Sequence, residues 1–337
     1  MYKTLTEKAK VFNQSTINTE DDLQKSITGL SNSLSLRFRG VCEAKYTMMT
    51  SLQRNCPASM SGKQKDYMSV LLQRVKNDTD VFTYFHRKGI AINDMSCLAL
   101  MQHFGLPTPL LDFSTDIVVA LSFAADGINL MSGSEETDQY VSLYVFDKVF
   151  EYEVGMPVQQ VYMNGMVSGI QMWKNYMMQN PCQQVDAAIL YNIDDFVKWN
   201  DIKDSELSYV EYQPLAPGVV TLSGQSLNLS NPNLDKQKGC FILNLYDENT
   251  PLEENWNMRT RERRERFWMN RGNSLQTLPF SGVTTREKMA CFDIKKEVIE
   301  KWAAKNAVPL YDNSKDTQDI KAKLAEIQKK VNEEIEA

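Results

Sequence analysis

Histidine is nearly absent from this chain of 337 residues, which carries only 2, His86 and His103, so imidazole chemistry at neutral pH has few places to sit. Cysteine is sparse as well. The 6 thiols, Cys42, Cys56, Cys97, Cys182, Cys240 and Cys291, are scattered without a Cys-x-x-Cys pair. That excludes a cysteine zinc cage and a disulfide-stapled mini-domain, and fits reduced, packed thiols. No acidic cluster has metal-ligand spacing, so no metal is expected. Long apolar runs are missing: the best window, 110–125, is interrupted by Asp112 and Asp116 and is too short for a bilayer span. The amino terminus is charged within its first turn and has no apolar signal core, so a cytoplasmic location without membrane contact is the expectation. The formal net charge of -6 gives no general attraction to polyanions, and nucleic-acid contact would need a local basic patch.

With 42% hydrophobic and 24% charged residues, the chain can bury a sizeable core as one large domain. A polar amino-terminal segment, 1–20, shows little periodicity, and order is expected to begin near Thr19, which caps a helix with an acidic first turn. The main body would run over 21–312 and a carboxyl-terminal amphipathic helix over 313–337. Met68, Leu71, Leu72 and Val75 make one buried face of a helix spanning 63–85. A second helix is predicted over 94–104, with Gly105 as its left-handed stop and Pro107 blocking continuation. A third, 116–125, is capped by Ser114 or Thr115 and follows a short extended Leu110-Leu111-Asp112.

Strands are predicted at 140–146, 219–222 and 240–246, where β-branched and aromatic residues concentrate. Ile294, Val298 and Trp302 share one helical face; Ile320, Leu324, Ile327, Val331 and Ile335 form a narrow stripe on another. Helices early and strands late point to an α+β fold: a single large domain with a mixed or antiparallel central sheet, flanking helices and a helical tail.

Two segments carry the chemistry. Phe38-Arg39-Gly40 places a guanidinium beside a glycine at a strand end. Gln102-His103-Phe104-Gly105-Leu106-Pro107-Thr108, followed by Leu110-Leu111-Asp112-Phe113-Ser114 and Ala120-Leu121-Ser122-Phe123-Ala124, packs polar groups between apolar helical segments. Together they resemble the FRG domain, named for its aromatic-Arg-Gly motif. Gln237-Lys238-Gly239-Cys240-Phe241 is similar to a third element of that family, and the resemblance runs over roughly 20–330. One position departs: the family arginine after Pro-Thr is Pro109 here, so any anion contact it makes is missing or moved.

The resemblance implies an ADP-ribosyltransferase-like effector that uses NAD as substrate and modifies a macromolecule, RNA or DNA among the candidates. An antitoxin or defence-system protein would restrain it. Cleaving the nicotinamide-ribose bond develops positive charge on the sugar while the phosphates stay negative, so cations and ribose hydrogen bonds are needed. On this reading Arg39, His103 and Gln237 are the catalytic set. Arg39, Gly40, Gln102, His103, Asp112, Ser114 and Thr115 hold the cofactor.

Plainer readings stand beside these. Arg39 can be a structural ion pair with Asp112, His103 a helix-end cap, and Ser114 and Thr115 simple caps. His86 lies at an ordinary aromatic helix end. Gln237 cannot ionise, and Glu211 is the substitute carboxylate, though a lone strand-edge charge is usually solvated. The run from Arg259 to Arg266, followed by Phe267 and Trp268, suits either a nucleic-acid strand or a salt-bridged surface helix closed by Glu262 and Glu265. A non-catalytic nucleotide-sensing domain and a hydrolase are the competing functions.

Overall fold

The computed structural model describes residues 1–31, 36–88, 92, 94–130, 133–147, 221–222, 225–226, 236–244, 250–254, 286 and 289–336. Glu211, the 259–268 run, Cys182 and Val219-Val220 lie outside the described residues. Six strands make one mixed sheet in the order β1-β8-β4-β2-β3-β7. They are β1 (Asn13–Ile17), β2 (Leu36–Val41), β3 (Leu110–Ser114), β4 (Tyr140–Asp147), β7 (Gly239–Leu243) and β8 (Met289–Lys295). The β1–β8 pair is parallel and the others are antiparallel. The short pair β5 (Thr221–Leu222) and β6 (Gln225–Ser226) stands apart from that sheet. The fold is therefore α+β.

The amino-terminal 20 residues are ordered, against expectation. Thr4 and Glu7 close a capping box on α1 (Leu5–Val11), and β1 extends the sheet. Hydrophobic periodicity misses this segment because its anchor is Lys8. The fully buried ammonium meets Asp293 Oδ1 and donates to Ser142 Oγ at 2.6 Å. Thr19 then caps α2 (Glu20–Leu30) through Asp22 N, a contact of about 1 kcal/mol.

The helix expected over 63–85 is two helices, α4 (Gln64–Lys76) and α5 (Thr79–Lys88). Asp78 separates them by accepting from Asp80 N and Val81 N, a new cap inside a continuous apolar pattern. The short α3 (Ser51–Asn55) precedes them and α6 (Asp94–His103) follows, ending before Gly105 at φ +80°. In α7 (Ile117–Ala125) nearly every side chain is apolar, which suits a helix buried on several sides. Ile294 belongs to β8, opposite Val141, and not to a helix; the helix α8 (Lys296–Asn306) begins after it. The carboxyl-terminal stripe lies on α9 (Lys315–Glu336), where Ile320, Leu324, Ile327 and Val331 join the core of α4, α5 and α6.

The sheet has two differently covered faces. Phe38, Val141, Leu143 and Val145 pack with α2, α7 and α8 on one face, and Leu110 and Phe241 continue it under α6 and α9. Tyr144, Phe113, Leu111, Cys240, Cys291 and Phe12 pack on the other. Burying one such aromatic contributes roughly 1.5–3 kcal/mol. These are the α7 face and the Tyr144 face below.

Candidate functional site

The site is built where β2 and β3 part. Their register holds a single opposed pair, Phe38 with Ser114. Opposed residues share a face and neighbours alternate, so Ser114 and Asp112 face α7 with Phe38, while Arg39 points to the Tyr144 face. Arg39 is indeed paired with Tyr144 across β4, and its guanidinium carbon stands 5.9 Å from the Phe113 ring centroid. The sequence-predicted site residues therefore meet at β3 from opposite sides.

On the Tyr144 face, Arg39 Nη1 donates to the backbone carbonyl of Asp112 at 2.6 Å. It does not pair with the Asp112 carboxylate. Its Nε is shut off from solvent and has no hydrogen-bond partner. Burial lowers the Arg39 pKa, with the Asp112 charge opposing that and the Arg54 charge adding to it. Arg54, near the end of α3, donates Nη1 to Met49 O at 2.7 Å and is otherwise exposed. The buried Glu253 acts on Arg39 as well, but its oxygens accept from Tyr2 Oη at 2.8 Å and from Met48 N. Burial raises the Glu253 pKa, partly offset by those bonds.

On the α7 face the polar groups form a connected frame. Gln102 Nε2 donates to Asp112 Oδ2 at 2.6 Å, and Thr108 Oγ1 donates to Gln102 Oε1. His103 places Nδ1 2.9 Å from Ala99 O and Nε2 2.7 Å from Gln237 Oε1, with its ring edge-on to Phe241. Gln237 Nε2 reaches Leu310 O at 3.0 Å, and the Gln237 carbonyl accepts from Ser114 Oγ at 2.7 Å. Burial lowers the His103 pKa, and Asp112, Ala99 O and Gln237 oppose it. Two oxygen partners can both be satisfied only by an imidazolium. A neutral ring requires the Gln237 amide to turn over, which sets its oxygen against Leu310 O.

The remaining residues have structural work. A Cβ on Gly40 would stand 1.7 Å from Ala120 O, so this glycine admits α7 against β2. Asp116, and neither Ser114 nor Thr115, caps α7, accepting from Val118 N at 2.8 Å. Ser114 Oγ accepts from Asp116 N instead. Thr115 N donates to Lys238 O at 3.0 Å; Lys238 has φ +44° and pairs through Nζ with Asp116. Arg54 and Glu253 were not legible as site residues, since neither lies in a motif, and Thr108, which closes the second motif, was not singled out within it.

A mixed-sheet α+β protein with a guanidinium at a strand opening and a glutamine-histidine-aspartate frame behind it is the class defined here. Residues 35–131 match the FRG domain family model, and the chain contains an FRG domain over that span. The match covers both main motifs, whereas Gln237 and the tail lie outside it. No curated protein and no solved structure matches the chain. Among the described residues no helix is long and apolar enough to cross a membrane, and no group of three or more His, Cys, Asp or Glu residues could hold a metal ion.

Proposed function

We propose that the FRG domain binds NAD at the β2–β3 opening and transfers its ADP-ribose to a macromolecule, with nucleic acid as the favoured acceptor class. The observation that carries this reading is the Arg39 fork: one arm is fixed on Asp112 O, the side chain is only half-buried, and no carboxylate among the described residues pairs with it. A phosphate would supply the countercharge at the remaining arm. In the reaction the bond between ribose C1′ and nicotinamide nitrogen breaks, nicotinamide leaves with the electron pair, and an acceptor oxygen or nitrogen bonds to C1′ as it loses its proton. Gln102, His103, Asp112, Ser114 and Gln237 act as the frame that fixes β3, because their polar atoms are already engaged with protein.

That same engagement favours a second reading, nucleotide binding without cleavage, since Arg39 and His103 lie on opposite faces of β3. Incubation with NAD labelled separately in the adenylate and the nicotinamide distinguishes the two. Transfer of adenylate label to RNA, DNA or protein with release of nicotinamide supports the transferase. Binding without release leaves a sensor, and absence of binding overturns both. Expression toxicity relieved by Arg39→Lys would support an effector that needs a restraining partner.

A further inference from the structure

We propose that Arg39 and Arg54 form a two-arginine clamp for a ligand with adjacent phosphates, Arg39 reaching from the sheet and Arg54 from the end of α3. The clamp rests on the nucleotide reading of the β2–β3 opening and names the part of the ligand that the opening selects. β2 and β3 are antiparallel and paired only at Phe38 and Ser114, so they diverge toward Val41 and Leu110. The segment entering β3 is tied to α3: Leu52 N donates to Thr108 O at 3.0 Å, and Thr108 N donates to Ser51 Oγ at 3.0 Å. This fixes the Arg54 helix at the mouth of the divergence.

Neither guanidinium has an ion-pair partner among the described residues. Each uses one arm on a backbone carbonyl, Asp112 O for Arg39 and Met49 O for Arg54. The one carboxylate whose charge acts on both is Asp112, and its Oδ2 is taken by Gln102. Two like charges, one at the mouth and one largely desolvated, are left without a counter-anion of their own. A single phosphate can neutralise one fork; two linked phosphates can engage both. Partial burial lowers the Arg54 pKa, and the half-exposed Tyr46, at 43%, and Asp112 oppose that.

Calorimetric titration of the full chain with inorganic pyrophosphate and with orthophosphate tests the clamp. Pyrophosphate should bind at least about tenfold more tightly than orthophosphate, and Arg54→Ala should remove that preference, as loss of a charge-assisted contact does. Arg54 is exposed, so the variant should melt with the parent. Arg87→Ala, which removes a surface cation paired with Asp316 in the parent, should change neither affinity. Equal affinities for the two anions, or an Arg54→Ala variant that keeps the preference, would overturn the clamp. If NAD still binds in that event and Arg39→Lys weakens it, the nucleotide reading survives alone; if NAD also fails to bind, both fall.

Discussion

Arg39 and Asp112 are joined through the backbone: the guanidinium donates to the Asp112 carbonyl on one side of β3, while the Asp112 carboxylate accepts from Gln102 on the other. One strand residue thus couples the cation of the first motif to the polar frame of the second. Ligand at Arg39 would bear on that frame through β3 itself.

Arg39→Lys keeps the charge and removes the fork. NAD affinity is expected to fall by about tenfold or more, and unfolding stability to change by about 1 kcal/mol, the worth of one net hydrogen bond. Calorimetry and urea denaturation measure the two separately. Undiminished affinity would mean that the guanidinium does not touch the ligand.

Gly40→Ala tests whether the motif glycine serves packing. Its Cβ would meet Ala120 O at 1.7 Å and Ala124 N at 2.7 Å, both backbone atoms that cannot rotate away. The expected loss is about 3 kcal/mol, the upper end of ordinary overpacking. A variant with parental denaturation midpoint would show that α7 shifts freely over β2.

Lys8→Met strands the fully buried Asp293 without its cation. Breaking a buried pair in this way costs about 3–5 kcal/mol, whereas Lys8→Met with Asp293→Leu should recover most of it. A double-mutant cycle in guanidinium reads the coupling, and additive losses would contradict a direct pair.

His103 predicts a pH dependence. Burial holds its folded pKa below the usual 6.5, so the unfolded chain binds more protons between the two values. The contribution to stability is complete above about pH 6.5 and is lost as pH falls through the folded value. The His103 ring resonances should titrate with a midpoint below 6.5. Gln237→Glu should raise that midpoint by placing a negative charge at Nε2. A midpoint above 6.5 in the parent would show that the two oxygen partners outweigh burial.

Residues 94–125 were the most legible part of the chain. Their helix stop at Gly105, extended Leu110-Leu111-Asp112 and apolar α7 follow from local rules of φ, β-propensity and amphipathicity. The helix break at Asp78 was hidden because apolar spacing continues across it. β1 was hidden because an edge strand with one buried side chain, Ile17, shows no alternation. β8 was missed where Ile294 was read with the helix that follows.

The sequence by itself determined which groups could act: an arginine beside a glycine, and a glutamine, a histidine and an aspartate bounded by apolar helices. Local backbone preference and side-chain chemistry are enough for that. Only the tertiary structure decided which of them meet, because facing depends on strand register. The single Phe38–Ser114 pairing puts Arg39 on the Tyr144 face and sets Asp112 toward α7, and the pairing of β3 with β7 brings Gln237 from across the chain to His103.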